Sequence, residues 1–310
     1  MLFRAVIKES HIMKEFYNTI VTLSKLTKQC VMIISSDKVN FIINEETTSV
    51  APLIWTEIQC VAYFDEYKMD GLDAKNNQIF LSFNPANLSR ALQLLRGNPA
   101  VCKIKLSNKQ FPCLTIEIEL PSPNNIQNRH IVHDVPITLI PRDEWSSYNI
   151  PQTQKPNICL GLPSIRFIRN LVDKLKNLSP SITFYGTNEG ELSVVIESDS
   201  LTLCSRYRNL DVKSTNRDNM EVDDHHNVEV GIPANKKNVQ NINSGRLKTK
   251  PNYFESSCLV DCKKTSMFLT ALQVTNAELS FSIIKDHLIQ MDIEIGWGLF
   301  IHCIVPAICC

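Results

Sequence analysis

Hydrophobic positions along this chain switch between a period of two and a period near 3.6, and the switches outline one compact unit. Ile79, Leu81 and Phe83 alternate with polar residues, the pattern of a strand with one buried face. Asn84-Pro85 breaks that strand, and Asn87 or Asn84 can cap a short helix carrying Leu88, Leu92 and Leu95 at i, i+4 and i+7. Gly97-Asn98-Pro99 stops the helix. Val101, Lys103, Ile104 and Leu106 begin a strand, Ser107-Asn108-Lys109-Gln110 turns it, and Leu114, Ile116, Ile118 and Leu120 carry it back. The unit Asn76–Leu120 thus reads strand, helix, strand, turn, strand.

Before it, the pattern predicts a strand at Leu2–Ile7 and an amphipathic helix over His11–Gln29, capped by Ser10. Ile12, Phe16, Ile20 and Leu23 form its apolar stripe; Lys14, Lys25 and Lys28 lie within about 60° of one another, nearly opposite. Strands follow at Val31–Ile34 and Val39–Ile43, turned at Ser35-Ser36-Asp37-Lys38, then at Leu53–Cys60 and Val61–Met69. After a polar loop at Pro121–Arg129, His133-Asp134-Val135-Pro136-Ile137 belongs to a strand ending near Ile140. Pro141–Pro156, punctuated by Pro151, reads as an interdomain linker.

The pattern then restarts. After a strand at Ile158–Leu162, a helix at Pro163–Leu178 opened by Pro163 or capped by Ser164, and strands at Ser181–Gly186 and Glu191–Ser198 turned at Thr187–Gly190, copy residues 11–43 at an offset of about 152. A short helix at Lys263–Gln273, strands at Ala277–Ile284 and Leu288–Ile295, and the turn Lys285-Asp286-His287 copy the first unit at an offset of about 175–180. The difference, about 25 residues, falls in the polar, aromatic-poor stretch at about 208–252, expected to be a disordered insertion. The expected fold class is therefore α+β: residues 1–140 and 157–310 as two tandem similar domains, joined by a connector at 141–156. Each holds antiparallel sheets with two helices on one face.

Bulk properties exclude more than they identify. The 310 residues carry 32 basic and 32 acidic side chains, a net charge of zero, so nothing global advertises nucleic acid or membrane. No uncharged run reaches the roughly 18 residues of a membrane span, and Arg4 and Lys8 interrupt what would be a secretion signal. The 11 cysteines contain no C-x-x-C pair and are expected to be reduced thiols of an intracellular protein.

Charge is segregated, however. The predicted helices at 11–29, 85–97, 163–178 and 263–273 carry net +2, +2, +3 and +2, so the remainder of the neutral chain carries −9. Charged outer faces are ordinary for exposed helices. Four basic helices in an acidic remainder instead favour a shared polyanion, whose phosphates they would neutralise without reading bases. Asp173 interrupts the basic face of the third helix.

No catalytic constellation accompanies this signal. His133-Asp134 resembles a base and its orienter but lacks a nucleophile. Asp223-Asp224-His225-His226 sits in the polar insertion, Cys258 and Cys262 lack further zinc ligands nearby, and no Gly-rich phosphate loop is present. Cys309-Cys310 departs from the prenylation pattern. Neither an enzyme nor a cofactor is expected.

The chain resembles the Hus family, a subunit of the heterotrimeric nine-one-one DNA-damage checkpoint clamp. The resemblance rests on Phe3-Arg4-Ala5, Ser36-Asp37-Lys38, Asn76–Leu81, Asn87–Leu92, above all KIKLSNKQFPCLT (Lys103–Thr115), then His133–Ile137 and Cys258–Gln273. It implies a fold like that of proliferating cell nuclear antigen, with helices lining a ring's central channel. On that resemblance Lys14, Lys25, Lys28, Arg90, Arg96, Arg166, Arg169 and Lys176 face double-stranded DNA without sequence preference. Pro141, Trp145, Tyr148, Ile150 and Pro151 belong to a connector where partners dock. The implied partners are two other checkpoint clamp subunits, a clamp loader and DNA repair enzymes, in the nucleus and with no membrane. The alternative is a homotrimeric replication processivity clamp.

Overall fold

The computed structural model describes residues 1–43, 52–71, 77–122, 128–150, 155–198, 201–213, 254–274 and 277–308. Pro151, Asp223–His226, Cys309-Cys310 and the insertion from 214 onward lie outside the described residues.

The first half runs β1 (Leu2–Ile7), α1 (Ser10–Leu26), β2 (Cys30–Ile34), β3 (Lys38–Ile43), β4 (Leu53–Gln59), α2 (Cys60–Tyr63), β5 (Glu66–Asp70), β6 (Ile79–Phe83), α3 (Pro85–Ala91), β7 (Val101–Asn108), β8 (Pro112–Leu120) and β9 (Arg129–Leu139). The second runs β10 (Ile158–Leu162), α4 (Ile165–Leu175), β11 (Ser181–Thr187), β12 (Leu192–Ser198), β13 (Leu201–Tyr207), β14 (Asp211–Val212), β15 (Glu255–Asp261), α5 (Cys262–Ala271), β16 (Glu278–Ile284), β17 (Leu288–Ile295) and β18 (Leu299–Pro306).

Pairing repeats as faithfully as element order. β1 joins β5 and β7 as β10 joins β14 and β16; β2 joins β3 and β6 as β11 joins β12 and β15; β7–β8–β9 is a meander as is β16–β17–β18. Even the contact of β6 with β9 has a counterpart, the bridge Val260–Ala307 between β15 and the end of β18. The halves are welded by β18 against β4, from Leu299–Ile58 to Ile304–Leu53, which makes one continuous sheet across the junction.

The cores lie between these sheets and the helices, with Phe3, Phe16, Phe41, Phe184, Phe268 and Phe281 fully enclosed. Sequence pattern and layering agree strand by strand. β12 alternates buried and half-exposed positions along Leu192–Ile196, whereas β2 is buried at all five residues. β2 has both faces covered: Met32 and Ile34 face the helical core, while Val31 and Ile33 join Ile42, Trp55 and Phe80 in a second cluster on the opposite face.

Differences from the pattern have identifiable causes. Glu9 occupies the cap position of α1 and Ser10 is its first helical residue; the Ser10 hydroxyl instead donates to Asn98 Oδ1 at 2.8 Å. α1 stops at Leu26, so Lys28 lies in the following turn. Asn84, not Asn87, caps α3, accepting from the Ala86 N–H at 2.9 Å. α3 yields after Ala91 to a 3-10 turn, Gln93–Gly97, that carries Arg96. Ser164 caps α4 and Asp261 caps α5, accepting from Lys264 N–H at 2.9 Å. Cys60–Tyr63 is a helical turn rather than strand: the Cys60 N–H is taken by Asp37 O at 2.8 Å, and the extended chain resumes at Glu66. Residues 208–213, expected within the insertion, are ordered as a tight turn leading to β14. The linker also has structure, a 3-10 segment Arg142–Tyr148 that lies on the outer cluster.

Candidate nucleic-acid interface and connector surface

The helices form one layer. α3 packs on α1, α1 on α5 and α5 on α4, so the row crosses the junction between the halves. α1 buries Met13, Phe16, Ile20 and Leu23, and α4 buries Ile165, Ile168, Val172 and Leu175. Where α1 meets α5, the Thr22 hydroxyl accepts from Gln273 N–H at 3.1 Å and donates to Asn18 O at 2.9 Å, so the buried polar group is satisfied across the seam.

Lys14 and Lys25 of α1, Arg90 of α3, and Arg166 of α4 are exposed on this layer, with Lys28 and Arg96 exposed on the turns that follow α1 and α3. Lys174 and Lys263 are exposed on α4 and α5 as well; sequence reasoning counted their charge without assigning them to the surface. The acid on α1, Glu15, is engaged at 2.6 Å by the Tyr63 hydroxyl, which lies 3.4 Å from Ile295 O of the second half. Burial, with Glu15 beside it, pushes the Tyr63 phenol up, so it stays a donor.

Two of the predicted basic residues also have partners within the layer. Arg169 is half-buried on the flank of α4 that meets α5, and its Nη2 donates to Leu272 O at 2.9 Å. That carbonyl closes the C-terminus of α5, where a cation is favoured. Burial, with Arg166 nearby, lowers the guanidinium pKa from its usual value. Lys176 is ion-paired with Asp173, whose carboxyl it holds below the usual range, and Asp173 also accepts from Ser266 at 3.3 Å. Arg169 is a strut between helices, and Lys176 neutralises an acid within the layer. Arg169→Ala is expected to lower stability by about 1 kcal/mol, the worth of the lost hydrogen bond. It should weaken polyanion binding less than Arg166→Ala does, as urea melts and salt titrations of both variants will show.

On the opposite face the connector lies against the sheet. The Trp145 ring stacks on Phe80 with centroids 4.4 Å apart, and its indole N–H donates to Ile140 O at 3.0 Å. Tyr148 packs on the same cluster with Val31, Ile33, Ile42 and Trp55 beneath. Pro141 and Ile150 are exposed at the segment's two ends. Beside it, Trp55 stacks on His302 at 4.7 Å, and His302 Nδ1 is 2.6 Å from Asp292 Oδ1 across the β17–β18 pair.

His133 and Asp134 are successive on β9 and so point to opposite faces. Asp134 accepts from the Thr115 hydroxyl at 2.6 Å and from Lys109 Nζ at 2.7 Å. These partners, Lys109 first, depress its carboxyl pKa. Burial pushes the Cys258 thiol up to about 12 and the Cys262 thiol to about 11, so both are protonated near neutrality. No grouping of three or more metal-ligating side chains occurs among the described residues.

A duplicated α+β chain with a row of helices on one face and sheets on the other defines the sliding-clamp class. Proliferating cell nuclear antigen from Entamoeba histolytica superposes with a TM-score of 0.67 over 99% of each chain at 15% identity. The antigen from Thermococcus kodakaraensis gives 0.64 over 98% of this chain and 99% of its own, at 13% identity. The family model described as Hus1-like protein matches residues 1–308, and the chain belongs to that family. It is similar to the checkpoint protein Hus1-like of Drosophila melanogaster, 37% identical over the full length of both chains. It is also similar to checkpoint protein HUS1 of Homo sapiens, 35% identical over 210 residues covering 68% of this chain and 74% of that one. The protein is a non-catalytic checkpoint clamp subunit, and its ring partners are other clamp subunits.

Proposed function

We propose that this chain forms one arc of a heterotrimeric ring that encircles double-stranded DNA at damage sites in the nucleus. There it supports checkpoint kinase signalling and gives repair enzymes a docking surface, after opening by a clamp loader. The single observation that carries the reading is the basic helix layer on an arc whose two ends are unpaired strands. β9 pairs with β8 along Arg129–Leu120 to Pro136–Cys113 but with β6 only from Ile137 on, which leaves an open edge beside residues 129–136 among the described residues. β13 likewise pairs only with β12. Under the internal repeat β9 is the counterpart of β18 and β13 the counterpart of β4. The closed β18–β4 junction is therefore the template for a junction between one subunit's β9 and the next subunit's β13.

The exposed residues of the helix layer would neutralise phosphates nonspecifically, which permits sliding. Lys14, Lys25, Lys28, Arg90, Arg96 and Arg166 are the contacts, joined by Lys174 and Lys263. The connector from Pro141 through Trp145, Tyr148 and Ile150 toward Pro151 offers an apolar surface on the outer face for short partner motifs.

Sedimentation of the isolated chain tests the assembly: a monomer that enters a 1:1:1 ring only with two different clamp subunits is expected, and a self-formed trimer would give the role to a homotrimeric processivity clamp. A second measurement reads the edge itself. Cys204 on β13 is the one exposed thiol among the described cysteines. Its maleimide labelling, followed by mass spectrometry, is expected to slow at least about tenfold when the ring forms, because strand pairing excludes the reagent. Unchanged labelling in an assembled ring would move the junction elsewhere.

A further inference from the structure

The two halves differ at one place that bears on assembly. In the first half, six residues connect β4 to β5, and among them Tyr63 of α2 and the following Phe64 are buried, at 2% and 8% exposure. In the second half the corresponding connection, from β13 to β14, is only Arg208-Asn209-Leu210, with Asn209 in a left-handed conformation at φ 58°. The shorter turn supplies no plug. An apolar groove of about 190 Å³ stands there, lined by Leu162, Phe167, Ile168, Tyr207 and Leu210, with Arg208 at its rim. Phe167 remains 65% exposed at its mouth, whereas its counterpart on α1, Glu15, is met by the hydroxyl of the plug residue Tyr63 at 2.6 Å. An apolar cavity of about 150 Å³ accepts a benzene ring, so the groove has room for one large apolar side chain.

The closed junction inside the chain shows what arrives at such a place. The turn between β17 and β18 sits on the end of β4: Gln59 N–H donates to Gly298 O at 2.8 Å. The turn also packs so closely that a Cβ on Gly298 would fall 2.9 Å from Ala62 Cβ. Copied onto β13, that geometry brings the turn preceding the neighbour's edge strand against Arg208 and Leu210, at the mouth of the groove. We infer that the α4–β13 groove is a socket for an apolar side chain carried on that turn by a neighbouring, different clamp subunit. The inference rests on the ring reading above and extends it: strand pairing is made by backbone and accepts many sequences, while a socket selects among clamp subunits by side chain.

The test uses the full chain and each of the two other ring subunits. Phe167→Asp, at an exposed position, leaves the isolated chain's melting midpoint unchanged. It is expected to weaken binding of one ring subunit by at least about tenfold, as loss of an apolar anchor does, and to leave the other subunit's affinity unchanged. Phe167→Leu retains binding within about threefold. A benzophenone side chain at position 167 is expected to crosslink to the turn before that subunit's edge strand. Wild-type affinity for both subunits in Phe167→Asp, with Cys204 still protected, would overturn the socket and leave the ring intact. A crosslink to any other part of the partner would do the same. Self-association abolished by Phe167→Asp would assign the groove to a second copy and overturn it for a different subunit. If neither subunit binds the wild type and protects Cys204, the ring reading and the socket are overturned together.

Discussion

Reversing charge at Lys25, Arg90 and Arg166 together is expected to weaken binding of the assembled ring to short duplex DNA by roughly a hundredfold or more at low salt. The three residues lie on α1, α3 and α4, are exposed, and sit on a layer where Asp173 is already charge-paired with Lys176 and Glu15 accepts a hydrogen bond from Tyr63. Each phosphate contact contributes a slope of about −0.9 in the logarithm of affinity against that of salt, so losing three flattens the slope by close to 3. Base composition of the duplex is expected to have no influence, because the proposed contacts would reach phosphates rather than base edges. The ring itself is expected to assemble normally, since none of the three residues lies on β9 or β13. Unchanged affinity at every salt concentration would reject the channel assignment. Arg169→Ala is the internal control, with lowered stability and nearly intact salt dependence.

The largest effect on stability is expected from Phe281→Ala. Phe281 on β16 is wholly buried, and its ring lies 4.9 Å from Phe184 on β11. The pair joins the two sheets of the second half, because β16 belongs to the long sheet and β11 to the four-stranded one. Truncation removes a buried ring and leaves a cavity, at a cost of about 3–5 kcal/mol. That is a large part of the roughly 5–15 kcal/mol that holds a domain together. A urea melt should show the midpoint fall by the corresponding amount, with partial recovery in Phe281→Leu. A loss below about 1 kcal/mol would mean that the sheets do not meet at this pair. Since β16 to β18 also carry the junction with β4, loosening of the second half should reduce ring formation as well.

Much of the architecture was legible from periodicity. Alternation in Leu192–Ser198 and the repeated helix–strand–turn–strand order act within a few residues, where the side-chain pattern and the backbone decide together; the pattern left Asn84 or Asn87, and Pro163 or Ser164, open at two helix starts, and the fold chose Asn84 and Ser164. Cys60–Tyr63 was not legible, because a four-residue apolar turn fits helix and strand periods equally, and the Asp37 carbonyl across the chain selects between them. That both faces of β2 are covered, the outer one by Trp145 and Tyr148 of the connector, is visible only in the folded chain.

By itself the amino-acid sequence determined the two-fold repeat, the amphipathic helices, the gathering of basic charge on them and the family resemblance. All four are properties of residues near one another in the chain or of whole-element composition. The tertiary structure alone decided which basic residues stay free: Arg169 and Arg166 share a helix, but one is drawn to a carbonyl 103 residues away while the other stays exposed. It also decided which strands end unpaired and where a groove lacks its plug. A helix's flank and a strand's edge acquire their meaning from distant elements packed beside them, and no local pattern records which neighbour will be there.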